Sequence, residues 1–291
     1  GRMQAESRQF LAECGYRIQI RERKYIGKLE PLSNVQLVLQ RQKDILKEIE
    51  RGSLCFGIVG SDVLYEYRNS SDSDLIIIHN SLGFGKCRLE LAIPKEWPEN
   101  SLEELTQTRS NLRIATKYPQ IVKKYLQKYM KEFSIVYKHG SIEVAPELGY
   151  SDIIADLVSS GETLRANNLR TIQNGLIFHS GAILIGNRQL LNNSTNLEIA
   201  RELLESFEGT LRGRKFVQIF ANMRRNRPEE ILSDLQSIPQ AQGLQGPTIS
   251  PVYQFSGEKW HSIHVIVQKT QLKSVIQSLR KIGGSGVVVS S

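Results

Sequence analysis

Residues 156–164 read DLVSSGETL, where a strand is predicted to give way to a helix. The apolar run SDIIAD leading into this stretch is typical of a buried strand, and TLRANNLR at its end is typical of a helix. Small residues at such a turn let the backbone approach a ligand, and the first N–H groups of a helix suit a phosphate. The alternative is an ordinary helix start, with Ser160 as the N-cap and Gly161 in the turn.

Strands and helices alternate on both sides of this turn. LCFGIVG, DLIIIHN and FSIVYKHG read as strands, with helical segments such as QIVKKYLQKYMKE along the chain. This alternation predicts an α/β fold with a largely parallel sheet. GLIFHSGAILIGN is predicted to run back as one apolar strand. We predict a first lobe of residues 1–109 and 180–211, a second lobe of 110–179 inserted into it, and a ligand cleft where the two meet.

The last part of the chain, residues 212–291, follows a different pattern. RKFVQIFANM is a predicted strand, RPEEILSDLQSI a helix, GPTISPVYQ and WHSIHVIVQ a pair of strands, LKSVIQSLRKIG a helix and GVVVSS a final strand. This β-α-β-β-α-β order is that of a ferredoxin-like unit. Such a unit more often holds a regulatory ligand or an oligomer contact than a catalytic site.

Composition and charge narrow the classes of protein. The net charge of +8 over 291 residues fits either a solvated surface or an anionic ligand, such as nucleic acid or a small polyphosphate. Aromatic residues are not interleaved with the basic ones, so we expect no nucleic-acid partner. No apolar run approaches the ~18 residues of a membrane span. Cys14, Cys55 and Cys87 are too dispersed for a zinc site or a disulfide frame and fit a reducing compartment.

A longer window around the opening stretch carries a resemblance. The sequence EVAPELGYSDIIADLVSSGETL closely resembles the signature of the ATP phosphoribosyltransferase family. FGKCRLELAIP, LRIATKYP, GLQGPTISPV and KIGGSGVVVS are similar to other segments of the long form of that family, so the resemblance covers nearly the whole chain. It also implies a further strand before Gly1 that carries a basic residue near the substrate. The positions that match the signature are Glu143, Gly149, Ser151, Ile154, Asp156, Ser160, Gly161, Thr163 and Leu164.

The resemblance implies an enzyme that joins N1 of the adenine of ATP to C1 of phosphoribosyl pyrophosphate and releases pyrophosphate, the first step of histidine biosynthesis. It implies a two-lobed catalytic part like a type II periplasmic binding protein, followed by a ferredoxin-like, ACT-like regulatory domain. The implied cofactor is Mg²⁺, carried by the substrates near Glu143 or Asp156 rather than ligated by the protein alone. The alternative is a two-lobed solute-binding or nucleotide-binding protein without catalysis.

The implied catalytic residues are Glu143, Asp156 and Arg2. Asp156 stands at the predicted strand end, where a carboxylate can meet ribose hydroxyls or a magnesium ion. Glu143 contacts a ribose or orders the metal shell, or else it is a surface carboxylate. Arg2 contacts nucleotide or pyrophosphate, or else it is a terminal arginine in solvent.

The residues implied for substrate binding fall into two groups. The first is the loop that takes the 5′-phosphate of phosphoribosyl pyrophosphate, namely Ser159, Ser160, Gly161, Glu162, Thr163 and Leu164. The second group has an open alternative for each member. Ser61 and Asp62 bind ligand or cap the next helix, Arg88 reaches the cleft or pairs with an acid, and Tyr118 stacks on adenine or packs in the core.

The resemblance also implies feedback control in the last domain. Inhibitory histidine is expected at Asn226, Leu244, Thr248, Ile266 and Gly286, where Thr248 offers a hydroxyl and Gly286 leaves room. The alternative is a turn threonine and an ordinary glycine before a strand. AMP is expected as a second inhibitor, and the assembly is expected to be a homo-oligomer that shifts between dimer and hexamer. The expected location is the cytoplasm, or the plastid stroma for a plant protein.

Overall fold

The computed structural model describes four stretches of the chain, residues 2–68, 73–242, 246–253 and 257–290. They form two compact units, Gly1–Leu204 and Glu205–Ser291. Among the described residues, no helix combines the length and the apolar character needed to cross a membrane.

The first unit alternates strands and helices. Its strands are β1 Arg17–Gln19, β2 Ile26–Glu30, β3 Leu32–Val38, β4 Phe56–Gly60, β5 Leu75–His79, β6 Cys87–Pro94, β7 Leu112–Thr116, β8 Phe133–Tyr137, β9 Ile153–Val158, β10 Leu169–Ser180 and β11 Ala182–Asn187. Its helices are α1 Arg2–Glu13, α2 Gln42–Glu50, α3 Ser61–Tyr67, α4 Leu102–Thr108, α5 Pro119–Leu126 and α6 Glu162–Ala166, and α7 Ser194–Lys215 runs on into the second unit.

The strands of the first unit form three sheets. The largest has the order β10-β6-β9-β7-β8, the second has the order β4-β11-β5, and β1, β2 and β3 form a small antiparallel sheet. The prediction of a largely parallel sheet was wrong, because only β7–β8 and β7–β9 pair in parallel among the described strands. Whether neighbouring strands run parallel or antiparallel depends on where the chain passes from one sheet to another. The alternation of strands and helices in the sequence does not carry that information.

One further prediction differs from the structure. GLIFHSGAILIGN is not one strand, because it divides at Gly181 between β10 and β11, which belong to different sheets. The backbone of Gly181 pairs there with Ser61, whose N–H donates to the Gly181 carbonyl at 2.9 Å. Strand β6 lies in the five-stranded sheet with β7, β8, β9 and β10. The predicted lobe boundaries stay predictions.

Side chains of the five-stranded sheet are buried on both faces. On β6, Leu89, Leu91 and Ile93 point into one apolar cluster, which Leu102 and Leu105 of α4 also enter. Alternate positions of β6 and β9 face the other way, since successive side chains of a strand point to opposite faces. A second apolar cluster covers that face, and its members include Ala92, Ala115, Ile142, Ala145, Ile154, Val158, Leu164 and Leu169.

The second unit has the predicted βαββαβ order. Its elements are β12 Phe216–Arg224, α8 Pro228–Gln236, β13 Thr248–Val252, β14 Trp260–Gln268, α9 Leu272–Lys281 and β15 Ser285–Ser290. The strands lie in the order β13-β14-β12-β15 and all pair antiparallel. Ile231 and Leu235 of α8 and Val275 and Leu279 of α9 share one apolar cluster with β12 and β14. The other face of the sheet lacks this helical cover within the part of the unit that the structure describes.

A buried carboxylate ties the end of α4 to the segment that precedes this helix. Glu99 is only 4% exposed and accepts hydrogen bonds from Arg109 Nε at 2.7 Å and from Thr108 Oγ1 at 2.8 Å. Burial raises the pKa of Glu99, but the bonds from Arg109, the backbone and Thr108 outweigh burial and hold the pKa below its ordinary value. The Arg109 guanidinium also lies 3.4 Å from the ring centroid of Trp97.

Replacing Arg109 with Lys is expected to destabilise the protein although the charge is kept. An ammonium group cannot reproduce the planar contact with Trp97 together with the bonds to Glu99, so the free energy of unfolding should fall by about 1–3 kcal/mol. Urea unfolding measures the change. The control is Arg51→Lys, because Arg51 is 70% exposed and pairs with Glu48 at 3.5 Å. The control should change stability by less than about 0.5 kcal/mol, and equal effects would contradict the role of Arg109.

Candidate active site

Strand β9 carries Asp156, which the sequence singled out, next to a lysine on a neighbouring segment. Asp156 lies on β9 and is half-buried, and its Oδ1 accepts a hydrogen bond from the backbone N–H of Leu157 at 2.8 Å. Lys117 follows β7, the neighbouring parallel strand, and its Nζ lies 3.6 Å from Asp156 Oδ1. The carboxyl ends of neighbouring parallel strands meet at one edge of a sheet, which is where open α/β sheets bind ligands.

The electrostatic environment of Asp156 is unfavourable to its charge. Burial raises the pKa of the Asp156 carboxyl, and the nearby Glu143 carboxylate raises it further. Lys117 and the N–H of Leu157 oppose this shift without cancelling it. Glu143 itself lies in a short 3₁₀ turn, Ile142–Val144, and is half-buried. Perturbed carboxyls of this kind cluster at functional sites.

The opposing strand β6 supplies a second charged pair on the same face. Glu90 is the Cα partner of Asp156, and Arg88 is the partner of Val158. Arg88 Nε donates to Glu90 Oε1 at 2.6 Å, and the side chain of Arg88 is 47% exposed. Arg88 therefore pairs with an acid on its own strand and still reaches solvent near the end of β9.

The loop after β9 has the open character that a ligand site requires. Ser159, Ser160, Glu162 and Thr163 are exposed, whereas Leu164 is buried in the apolar cluster beneath them. Leu164 therefore anchors this loop through packing. No described side chain blocks the loop from solvent at these four positions, so their hydroxyls and amides are accessible.

Gly161, not Ser160, is the N-cap of α6. Gly161 has φ of 74°, in the left-handed region that favours glycine, and no side chain caps the helix. Ser160 Oγ accepts a long hydrogen bond of 3.4 Å from the N–H of Glu162. The predicted helix TLRANNLR is also shorter than expected. It ends at Ala166, and Asn168, with φ of 53°, separates it from β10.

Asp62 and Tyr118 are buried inside the unit, and Ser61 beside them is half-buried. Tyr118 is 4% exposed and packs in the core of the five-stranded sheet, so packing, not stacking on a ligand, describes its ring in this structure. Its hydroxyl donates to Asp62 Oδ2 at 2.8 Å. Asp62 is 6% exposed, and the N-cap of α3 is Gly60, so neither Ser61 nor Asp62 is the cap. Arg2 begins α1, and its side chain lies outside the described part of the structure.

Two family models match the chain. The model described as ATP phosphoribosyltransferase matches residues 41–209, and the model described as HisG, C-terminal domain, matches residues 213–291. The chain belongs to the ATP phosphoribosyltransferase family. The resemblance seen in the sequence is thereby confirmed, including the long form with a carboxy-terminal domain.

Known ATP phosphoribosyltransferases align with nearly the whole chain. ATP phosphoribosyltransferase 2, chloroplastic, of Arabidopsis thaliana is 38% identical over 305 residues, which cover 100% of this chain and 74% of that protein. The ATP phosphoribosyltransferase of Azobacteroides pseudotrichonymphae genomovar. CFP2 is 30% identical over 292 residues, which cover 99% of this chain and 94% of that protein.

A solved structure supports the fold of the family. A chain in the ATP phosphoribosyl transferase (HisG:HisZ) complex from Thermotoga maritima superposes with a TM-score of 0.57 at 25% identity, covering 72% of this chain and 96% of that chain. Together with the match to the carboxy-terminal domain, this confirms the predicted fold class. The chain combines a two-lobed α/β part like a type II periplasmic binding protein with a ferredoxin-like domain.

The residues predicted to bind inhibitory histidine are dispersed within one copy of the ATP phosphoribosyltransferase chain. Thr248 and Gly286 are both exposed, but they lie on β13 and β15, the two edge strands. Strands β14 and β12 separate them, a distance of roughly 14 Å. Asn226 is exposed before α8, and Ile266 lines a cavity of about 450 Å³ with Phe216 and other residues. Leu244 lies outside the described residues.

Lys117 is the site residue that the sequence reasoning missed. It stands in the quoted segment LRIATKYP, directly after a predicted strand, so its position at a strand end was available as a signal. What the sequence lacked was the neighbour relation between β7 and β9, which brings Lys117 to Asp156 across 38 intervening positions. Sequence spacing alone does not reveal that pairing.

Replacing Asp156 with Asn is expected to stabilise the protein at pH 7. The pKa of the Asp156 carboxyl is higher in the folded state than in the unfolded state. The protonated carboxyl therefore contributes stability at a pH below the unfolded-state pKa, and this stability is lost as the pH rises through the folded-state pKa. Asp156→Asn should therefore raise the free energy of unfolding at pH 7, and the gain should vanish near ~pH 3, where the carboxyl is protonated in both states. Urea unfolding at the two pH values measures both effects.

The control for this experiment is Asp152→Asn, four positions earlier. Hydrogen bonds from Arg113 lower the pKa of Asp152, with Arg113 Nη2 at 2.8 Å from its Oδ1. Asp152 therefore contributes stability above its unfolded pKa, which is lost as the pH falls, and Asp152→Asn should destabilise the protein at pH 7. A loss of stability from Asp156→Asn at pH 7 would contradict the account of the site.

Proposed function

We propose that this chain catalyses the reaction of its family, which opens histidine biosynthesis. N1 of the adenine of ATP supplies an electron pair to C1 of phosphoribosyl pyrophosphate. The bond from C1 to the pyrophosphate oxygen breaks, and pyrophosphate leaves with that bonding pair. The observation that carries the proposal is the position of the exposed loop 159–163, which follows directly from the strand that bears Asp156 beside Lys117.

The loop takes the 5′-phosphate of the donor in this proposal. Backbone N–H groups at the start of α6 donate to the phosphate oxygens, and the hydroxyls of Ser160 and Thr163 add donors. Gly161 has no Cβ, which keeps the backbone open to the phosphate. Leu164 holds the loop through its contacts in the apolar cluster.

Lys117 and Asp156 act on the ribose and pyrophosphate in this proposal. The Lys117 ammonium attracts the phosphate charges of the donor, and it is partly exposed, so a ligand can reach it. The transition state at C1 develops positive charge on the ribose, and the Asp156 carboxylate stabilises it electrostatically. Positioning the two substrates lowers the barrier further, and no protein nucleophile is required.

Mg²⁺ is the proposed cofactor, and the donor set fits it in part. Within the described residues, no group of three or more His, Cys, Asp or Glu side chains is placed to hold a metal ion. The Glu143 carboxylate contributes to the raised pKa of Asp156, so the two carboxylates offer oxygens to one region. Mg²⁺ commonly binds one or two carboxylates together with substrate phosphates and water. Bound in this way, the ion neutralises charge on the pyrophosphate.

A spectroscopic assay of phosphoribosyl-ATP formation tests the proposed function, and Thr163→Ala tests the loop. Loss of a hydroxyl that bonds a charged phosphate should weaken binding of phosphoribosyl pyrophosphate by about 1–2 kcal/mol in calorimetry. Thr106→Ala is the control, since Thr106 is a half-buried threonine of α4 that bonds only Glu103 O in the described contacts. If the protein binds phosphoribosyl pyrophosphate but forms no product, the non-catalytic alternative is favoured. If Thr163→Ala and Thr106→Ala bind phosphoribosyl pyrophosphate with equal affinity, the loop assignment is contradicted.

We also propose that histidine, with AMP as a second inhibitor, controls the enzyme through its assembly. The separation of Thr248 from Gly286 within one copy supports a histidine site that several copies complete, in a homo-oligomer that shifts between dimer and hexamer. If the source is a plant, the proposed location is the plastid stroma, which the chloroplastic plant relatives support. For any other source, the proposed location is the cytoplasm.

Histidine is expected to inhibit from outside the substrate cleft. Raising ATP and phosphoribosyl pyrophosphate together should therefore leave a substantial part of the inhibition in place, because the ligands do not compete for one site. Initial rates at several histidine concentrations, each with both substrates saturating, measure this. Inhibition that disappears at saturating substrate would contradict the proposal.

A further inference from the structure

Helix α3 carries two buried carboxylates on one face. Asp62 and Glu66 are four residues apart, so they lie one turn from each other, and they are only 6% and 5% exposed. A buried carboxylate is costly unless hydrogen bonds satisfy it. Both carboxylates accept hydrogen bonds from donors on segments outside α3. These donors show which segments the helix holds in place.

Asp62 joins three segments of the first unit. Its Oδ1 accepts from Ser180 Oγ at 2.6 Å, where β10 ends, and its Oδ2 accepts from the Tyr118 hydroxyl at 2.8 Å. Tyr118 is the N-cap residue of α5. Burial and the charge of Asp62 raise the pKa of Tyr118, so its phenol stays protonated and donates to Asp62.

Glu66 holds the same end of α5. Its carboxylate accepts from the backbone N–H of Gln120 at 3.0 Å and from that of Ile121 at 3.1 Å. These amides belong to the first turn of α5, where N–H groups lack partners within the helix and favour a negative charge. Burial raises the pKa of Glu66, and the two amides and Lys43 oppose that rise. Helix α3 thus fixes the start of α5 through a side chain and through the backbone.

The residue just before this fixed point is Lys117. Its Nζ lies 5.2 Å from the ring centroid of Tyr118 and 3.6 Å from Asp156 Oδ1. The ring that Asp62 anchors therefore lies beside the ammonium group that faces the candidate site. Tyr118 also connects α5, which follows β7 of the five-stranded sheet, to α3, which follows β4 of another sheet.

We propose that Asp62 and Tyr118 are positioning residues that hold Lys117 at the donor site, with Glu66 fixing the helix that follows. The proposal rests on the proposed function, because it assigns Lys117 to binding the anionic donor. Tyr118 acts through Lys117 and does not itself touch substrate. The hydrogen bond from its hydroxyl to Asp62 connects elements of two sheets of the first unit. This connection fixes the position of the Lys117 ammonium at the end of β7.

Tyr118→Phe tests the proposal, since it removes one hydroxyl and keeps the ring. The matched control is Tyr125→Phe on the same helix, where the hydroxyl donates to the backbone carbonyl of Asn174 at 2.7 Å, away from the charged site. Calorimetry should show about five- to tenfold weaker binding of phosphoribosyl pyrophosphate to Tyr118→Phe and less than about a twofold change for Tyr125→Phe. The KM for this donor should rise more than kcat falls.

A double-mutant cycle separates positioning from a merely structural role. If Tyr118 acts through Lys117, then Tyr118→Phe should have almost no further effect on donor affinity in a Lys117→Met background. A full effect in that background, or equal affinities of Tyr118→Phe and Tyr125→Phe, would overturn the proposal. Thermal unfolding of each variant checks that it is folded.

Hydrogen exchange supplies a readout that does not depend on activity. The backbone amides of residues 117, 118, 120 and 121 should exchange faster in Tyr118→Phe than in the wild type and in Tyr125→Phe, because the anchor of that segment is lost. Unchanged exchange would count against the anchor. A wild-type protein that neither binds the donor nor forms product would overturn the proposed function itself, whatever the exchange rates show.

Discussion

The antiparallel register of β6 against β9 is the constraint on which the candidate site depends. It sets Glu90 opposite Asp156 and Arg88 opposite Val158, with the leucines of β6 turned to the other face. A shift by one residue would turn the charged side chains into the apolar core. Burial of both faces of these strands fixes the register, and the same burial makes the charge of Asp156 unfavourable. The fold therefore holds the Asp156 carboxylate in an unfavourable environment. The positive charge of the proposed transition state would stabilise the carboxylate at this position.

Buried carboxylates serve different ends in different parts of this chain. Glu99, Asp62 and Glu66 receive hydrogen bonds from neighbouring segments and hold elements in place. Asp156 accepts one backbone hydrogen bond, from Leu157, and its Oδ1 lies 3.6 Å from Lys117 Nζ. Structural carboxylates are thus satisfied within the protein, whereas Asp156 lies beside an open loop. This difference, rather than burial alone, distinguishes the candidate site from the supports around it.

The sequence predicted the elements better than their arrangement. The βαββαβ order of the second unit followed from alternation and turn residues, because its strands and helices are clearly bounded in the sequence. The division of residues 175–187 at Gly181 was not predictable, since an apolar run continues across a point where the chain changes sheets. In the site, the signature located Asp156 and the loop. Lys117 and the burial of Tyr118 depend on pairing between distant segments, which spacing along one chain does not encode.

The central claim is that the loop after β9 binds the 5′-phosphate of the donor while Asp156 lies beside its ribose. A crystal of the protein soaked with phosphoribosyl pyrophosphate tests it most directly. The account predicts electron density for the phosphate against the backbone amides of residues 160–163, with the ribose next to Asp156. Well-defined density for the donor at any other place on the chain would contradict the account.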